Sequence, residues 1–226
     1  MADGKVSPVD ALSPASRAWG EIGPRSDHPR WGMVVDQERC IGCWSCAVIC
    51  KSENDAPLGV WWNRILTEGE ALDQPALGEV GGMEMHWLPL ACQHCENAPC
   101  VKACPVQATY HRADGIVMQD ADRCIGCRYC MVACPYGVRS FNWGAPSRPT
   151  QHETGMVGRG QVGTVEKCTM CVQRLTEDQV PSCVWSCPTG ARVFGDHNDP
   201  EGRLVAMVRD REGSMLLEEA GTRPAV

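Results

Sequence analysis

The sixteen cysteines of this 226-residue chain fall into four groups of four, and their spacing constrains the fold more than any other feature. Cys40, Cys43, Cys46 and Cys50 are spaced C-x2-C-x2-C-x3-C. Cys92, Cys95, Cys100 and Cys104 are spaced C-x2-C-x4-C-x3-C and are followed by Pro105. Cys124, Cys127, Cys130 and Cys134 repeat the first spacing, with Pro135 next. Cys168 and Cys171 form a C-x2-C pair; Cys183 and Cys187 follow after a gap of eleven residues and lead into Pro188. No cysteine is left over. Cysteine at about 7% is far above ordinary usage. Two Phe and three Tyr leave little material for a large conventional core, so something besides side-chain packing must organise the interior.

The groups are related in pairs. Asp36-Gln-Glu-Arg-Cys-Ile-Gly-Cys43 recurs as Asp120-Ala-Asp-Arg-Cys-Ile-Gly-Cys127, an offset of 84 residues. Pro99-Cys-Val-Lys-Ala-Cys104 recurs as Ser182-Cys-Val-Trp-Ser-Cys187, an offset of 83. A two-motif unit duplicated once explains both offsets, and two copies do not make a solenoid.

The spacing points to [4Fe–4S] clusters. A tight C-x2-C loop wraps one cluster and can aim backbone N–H groups at its sulfurs, and Gly42 and Gly126 relieve the turn. The last cysteine lies four residues past the third, about one helical turn on, and faces away from its own loop. In two-cluster ferredoxins that fourth cysteine ligates the other cluster, and C-x2-C-x2-C-x3-C-P is their signature. Proline after the fourth cysteine limits the helix; group one departs, with Lys51 in that place. Eight disulfides would use every cysteine, but such scaffolds are shorter and C-x2-C-x2-C is poor disulfide geometry. Four structural zincs would too, but zinc ribbons need no third cysteine within the loop.

Short apolar or alternating runs predict strands at Trp31–Asp36, Ile116–Asp120 and Ala191–Phe194. Short helices are expected at Ala47–Glu53, Val101–Val106, Met131–Pro135 and Val184–Cys187, and a further one at Glu201–Arg209. The fold class expected is α+β: two ferredoxin-like [4Fe–4S] modules, one inserted in the other, with long loops and a C-terminal tail. Groups two and three form the inner module, residues 86–142. Groups one and four form the outer module, residues 31–60 plus 165–200. Residues 1–30 are an N-terminal extension, 61–85 and 143–164 connecting loops, and 201–226 a polar tail. Loops this long are usually functional or disordered, so residues 51–86 and the tail are expected to lie against partner subunits, with Trp61 and Trp62 as packing or interface anchors rather than electron relays.

Taken together, the four groups resemble the four-cluster iron–sulfur subunits of molybdopterin oxidoreductases of the dimethyl sulfoxide reductase and polysulfide reductase type. The resemblance covers about residues 31–200. It rests on Cys92-Gln-His-Cys-Glu-Asn-Ala-Pro-Cys100, Lys167-Cys-Thr-Met-Cys171 with Arg174, and Val180-Pro-Ser-Cys-Val-Trp-Ser-Cys-Pro-Thr-Gly190. Gly195-Asp196 through Asp199-Pro200 and the terminal Gly221-Thr-Arg-Pro224 are similar to the polysulfide reductase branch. The resemblance implies a non-catalytic electron-transfer subunit with four [4Fe–4S] clusters. Carried over by motif, their ligands are Cys40, Cys43, Cys46 with Cys187; Cys168, Cys171, Cys183 with Cys50; Cys92, Cys95, Cys100 with Cys134; and Cys124, Cys127, Cys130 with Cys104. It further implies a large catalytic partner holding a molybdopterin guanine dinucleotide cofactor, and often an integral membrane subunit that exchanges electrons with quinone. Other readings are a free polyferredoxin, the cluster subunit of a hydrogenase-type complex, and a zinc-binding interaction module.

The formal charge of −7, made more negative by bound clusters, disfavours nucleic acid as a partner. No signal peptide and no run of about 18 apolar residues is evident, so bilayer insertion is not expected and attachment to a prokaryotic membrane, on either face, would come through partners. Trp44 and Arg128, inside the tight loops, can shield or tune a cluster or be plain loop side chains. Lys51, Lys102 and Lys167 border ligands and can offset cluster charge or be solvated surface side chains, the second being the more ordinary reading. His94 is expected not to be a ligand, because every group already has four sulfurs. No catalytic triad, P-loop or dinucleotide fingerprint appears.

Overall fold

A computed structural model describes residue 22 and residues 25–67, 86–144 and 161–226. Its elements are short. In chain order they are β1 (Trp31–Val35), α1 (Ser45–Glu53), β2 (Asn63–Thr67), β3 (Trp87–Ala91), α2 (Pro99–Lys102), β4 (Thr109–His111), β5 (Val117–Gln119) and α3 (Tyr129–Val132). There follow β6 (Ser140–Phe141), β7 (Val165–Glu166), α4 (Val172–Leu175), α5 (Ser182–Trp185), β8 (Arg192–Asp196) and α6 (Arg203–Asp210). The strands form two-stranded antiparallel ribbons, β1 with β8, β2 with β3, β4 with β5 and β6 with β7. This is a mixed α+β chain.

β1 joins the two ends of the described chain. Its register with β8 runs from Trp31 opposite Asp196 to Val35 opposite Arg192. Alternation puts Trp31 and Met33 in the interior, where the Trp31 ring stacks on Phe194 at 5.2 Å between centroids. The ladder is followed by a repeated device. Asp36 accepts the amides of Glu38 and Arg39 at 3.1 and 3.3 Å, and Asp120 accepts those of Asp122 and Arg123 at 3.0 and 3.2 Å. Each aspartate caps the turn that delivers the chain to a cysteine loop. Gly42 and Gly126, inside those loops, have φ of +65° and +68°, a region costly for a residue with a Cβ.

The core is divided. Trp31, Met33, Ile65, Met170, Val184 and Phe194 belong to one buried cluster; Leu90, Val117, Tyr136, Val138 and Val165 belong to another that also contains Cys92, Cys95, Cys100 and Cys130. Sulfur fills interior positions that large aromatics take in other folds.

Several expectations need correction. The cluster helices begin about two residues earlier than expected and three of them end earlier: α2, α3 and α5 are single turns of four residues. Pro99 sits in the first turn of α2, where its missing N–H has no bond to lose. Cys104, Cys134 and Cys187 therefore lie beyond the helix ends, whereas Cys46 and Cys50 share α1. The final helix is displaced to 203–210.

Residues 63–67, expected in a connecting loop, form β2 and pair with β3. Trp62 is buried and its indole N–H donates to Glu166 at 3.2 Å, so it anchors the chain's own packing. Trp61 makes an edge contact with Trp44, centroids 5.9 Å apart. Residues 68–85 and 145–160 lie outside the described residues, as do most of 1–24. The polar tail is also misread: residues 222–226 thread back into the body, with Thr222 and Ala225 buried. Among the described residues no helix is long and apolar enough to cross a membrane.

Candidate metal centres

None of the sixteen cysteines is paired in a disulfide. Three cavities gather twelve of them. Cys40, Cys43, Cys46 and Cys187 line the first, with a volume of about 320 Å³ counting its open mouth. Cys50, Cys168, Cys171 and Cys183 line the second, of about 420 Å³. Cys92, Cys95, Cys100 and Cys134 line the third, of about 330 Å³. In each, the tight-loop cysteines come from one sequence group and the last cysteine from another. Cys92 also borders the second cavity. Of the remaining four, Cys130 is buried, Cys104 and Cys124 half-buried and Cys127 exposed. Cys130 lies in α3, which packs against α2, the helix that Cys104 follows.

The local chain explains the convergence. Trp44 and Arg128 each take a left-handed conformation, φ 62° and 64°, and turn the loop directly into α1 and α3. That reversal brings the third cysteine of each group back over the first two. Backbone amides reach several of the sulfurs: Ala108 N donates to Cys104 Sγ at 3.2 Å and Met170 N to Cys168 Sγ at 3.3 Å, and the amides of Gly42 and His94 lie against Cys40 and Cys92.

Burial governs the thiols. It pushes Cys183 up to about 12 and Cys168 further, with the neighbouring cysteines adding to the rise. Cys95 is pushed up to about 11, also chiefly by burial, against a hydrogen bond from Thr222. Burial would raise Cys92 as well, but His94 and Lys167 beside it bring it below the ordinary thiol range. Cys95, Cys168 and Cys183 thus resist ionising alone, and a bound cation is what makes them thiolates.

The residues fit a multi-iron cluster better than a single ion. A zinc held by four sulfurs at about 2.3 Å needs no cavity. Among the described residues no three His, Cys, Asp or Glu side chains gather closely enough to hold one ion. Wide, sulfur-lined, largely apolar spaces with buried cations facing them suit an anionic group. Arg192 borders the first and second cavities, and Arg139 the third.

The other candidates separate. Lys167, whose solvated reading is the more ordinary, is buried, with Nζ donating to the carbonyl oxygens of Val117 and Cys168. Lys51 donates to three carbonyls, Ala56, Pro57 and Val60, at 2.7 to 3.0 Å, and so holds the turn after α1. Lys102 bonds the Asn97 side chain at the surface. Arg128 lies over the rings of Phe141 and Trp143 at 5.1 and 5.4 Å. His94 is buried and its Nδ1 accepts the Val117 amide at 3.1 Å, which orients it as a structural neighbour of Cys92.

Arg139, Arg192 and Thr222 escaped the sequence reading. A signal for the arginines was present: Cys134-Pro-Tyr-Gly-Val-Arg139 recurs as Cys187-Pro-Thr-Gly-Ala-Arg192. Both arginines lie five residues past a fourth cysteine.

Cavities walled by four cysteines, each set drawn from two sequence groups, define an iron–sulfur protein. The family profile of the 4Fe-4S dicluster domain matches residues 83–149 and 156–197. The chain is 50% identical over 201 residues to a Halobacterium salinarum protein named as a dimethyl sulfoxide reductase iron–sulfur subunit, covering 86% of this chain and 77% of that one. It is 40% identical over 222 residues to a subunit of the tetrathionate reductase of Salmonella typhimurium, covering 96% and 78%. It is 33% identical over 196 residues to a component of the polysulfide reductase of Wolinella succinogenes, covering 86% and 91%. The chain thus belongs to the [4Fe–4S] electron-transfer subunits of reductase complexes of this dimethyl sulfoxide and polysulfide reductase type. Its work is done as one subunit of an oxidoreductase complex, alongside a catalytic subunit.

Proposed function

We propose that the chain holds four [4Fe–4S] clusters in a row and passes single electrons between a molybdopterin catalytic subunit and a membrane quinone-reactive subunit or soluble carrier. The observation that carries this is the exchange of fourth cysteines between groups. Cys187 joins the cavity of Cys40, Cys43 and Cys46; Cys50 joins that of Cys168, Cys171 and Cys183; Cys134 joins that of Cys92, Cys95 and Cys100. By the same exchange, Cys104 completes the set of Cys124, Cys127 and Cys130. The pairing of β1 with β8 supports an outer module that encloses the inner one.

Each cluster, when bound, supplies a one-electron centre whose potential depends on nearby charge, hydrogen bonds to sulfur and exposure to water. The protein's own part is to hold the sulfurs apart at cluster width and to exclude water from the middle of the row. Cys43 and Cys127 are exposed, and the clusters they would ligate are the ones a partner can reach for electrons to enter and leave. Membrane attachment comes through a partner.

Anaerobic purification of the tagged chain from a host carrying the whole complex tests this reading. Molybdenum near one atom per chain, travelling with a much larger subunit, is the expected result. A chain that keeps its iron but brings down no molybdenum protein points to a free polyferredoxin instead.

A further inference from the structure

Among the described residues the buried Lys and Arg side chains are three, Arg139, Lys167 and Arg192. Each stands at a different junction of the cysteine row. Arg192 borders both the first and the second cavity, with Nη1 3.8 Å from Cys183 Sγ and Nη2 donating to Asn63 Oδ1 at 2.9 Å. Lys167 precedes Cys168 of the second cavity and faces Cys92, which borders both the second and the third. Arg139 borders the third cavity and faces Cys100 on that side and Cys130, of the group of Cys124 and Cys127, on the other. Nη1 of Arg139 donates to Gln119 Oε1 at 2.9 Å and Thr109 Oγ1 at 3.3 Å, while its Nη2 is buried without a hydrogen-bond partner.

The polar partners of these three cations are amides, carbonyls, a hydroxyl and sulfur, not carboxylates. A buried charge without a counter-ion is costly. Placed once at every junction and, among the described residues, nowhere else in the interior, it calls for an anion on each side.

We propose that Arg192, Lys167 and Arg139 are positioning residues for electron transfer: one fixed cation between each neighbouring pair of clusters, stabilising the reduced form of both and offsetting their mutual repulsion. This rests on the four-cluster reading. Adjacent clusters are anionic, and each added electron deepens the charge. Inside a low-dielectric protein an electron on one cluster would disfavour an electron on the next. A cation between them lowers that obstacle without touching the iron ligands. Stabilising the more negative state raises the reduction potential, so removing the cation lowers it.

The test is a redox titration, followed by paramagnetic resonance, of the anaerobically purified complex, after iron has been counted in each variant. With iron unchanged, Arg192→Gln is expected to lower the potentials of two clusters, shifting their oxidised-to-reduced ratio at least tenfold at fixed potential, which is 59 mV for one electron. Lys167→Met is expected to lower a different pair, sharing one cluster with the first. Arg192→Lys, which keeps the charge, should return both potentials to the unsubstituted values. Full iron with unshifted potentials in the charge-removing variants overturns the proposal and leaves the four-cluster reading standing. An Arg192→Lys shift as large as that of Arg192→Gln also overturns it, because packing and not charge would then be at work. Should one variant lose iron, the other two junctions, Arg139→Gln included, carry the same comparison. Iron well short of four clusters in the unsubstituted protein removes the underlying reading instead.

Discussion

The amide of Ala225 donates to the carbonyl oxygen of Gln93 at 2.8 Å, which ties the C-terminal segment to the loop between Cys92 and Cys95. The strap continues on both sides. Met33 N donates to Ala225 O at 2.9 Å, Glu96 N to Arg223 O at 2.9 Å and Asn97 N to Thr222 O at 3.0 Å. Tyr136 Oη and Thr222 Oγ1 share a hydrogen bond, and Val226 lines the second cavity. The segment therefore closes the chain's own cysteine sites.

Deleting residues 221–226 removes these bonds and opens the second cavity, which Val226 lines. At about 0.5–1.5 kcal/mol for each hydrogen bond, the loss is expected to be a few kcal/mol, with faster iron release to a chelator. Anaerobic thermal unfolding and release kinetics check it. A truncated chain with unchanged melting temperature and iron retention would show that the strap is dispensable.

The two loop glycines are expected to differ. Gly42 and Gly126 both have positive φ, but a Cβ on Gly42 would strike the half-buried Trp87 indole, while one on Gly126 would strike the backbone carbonyl of Gly163. The left-handed conformation costs alanine about 1–2 kcal/mol at either site. The indole can swing aside; the carbonyl needs the 161–164 loop to move. Gly126→Ala should therefore lower the melting temperature more than Gly42→Ala, and the reverse order would contradict this geometry.

How much was readable beforehand depended on which atoms make each contact. Trp31, Met33 and Val193 announce their strands as members of short apolar runs, and all three are buried. The cysteine loops declare themselves because a tight loop needs Gly42 and Gly126 and allows few spacings. The β2–β3 ribbon was missed: its strands are separated by a long connection, and Pro89 in β3 argues against a strand on sequence grounds. The strap was missed because its bonds are main chain to main chain, which leave no side-chain pattern. For Lys167 the sequence leaves a cluster-facing and a solvated reading open, because nothing in its neighbours indicates that the chain after β7 carries it into the interior.

Asp196 gives a pH prediction. Its carboxylate accepts Ser26 Oγ at 2.6 Å and the amides of Ser26, Arg30 and Asn198 at 2.7 to 2.9 Å. Burial works against its charge, but these donors outweigh burial and hold the carboxyl below its ordinary range. A folded value below the unfolded one means stabilisation that is present above the unfolded value, about 3.9, and lost as pH falls through the folded value. Hydrogen exchange of residues 25–30 should thus show flat protection from pH 7 to about 4.5. Asp196→Asn should weaken that protection by about 1–3 kcal/mol across the same range. Protection that falls away between pH 6 and 5 in the unsubstituted chain would contradict this assignment.

Exchange of ligands has its own test. Cys187→Ser is expected to alter the cluster of Cys40, Cys43 and Cys46 and to leave that of Cys168, Cys171 and Cys183 comparatively intact. Resonance spectra of the substituted complex, compared with those of Cys40→Ser and Cys171→Ser, identify which cluster has changed. Coincidence with Cys171→Ser would put each fourth cysteine back with its own sequence group.

The most direct measurement is the iron and spin content of the anaerobically prepared chain. Four [4Fe–4S] clusters require about sixteen iron atoms per chain and, after full reduction, spin accounting for four one-electron centres. That is the predicted result. About half that iron, a native [3Fe–4S] signal, or zinc in place of iron would contradict the account.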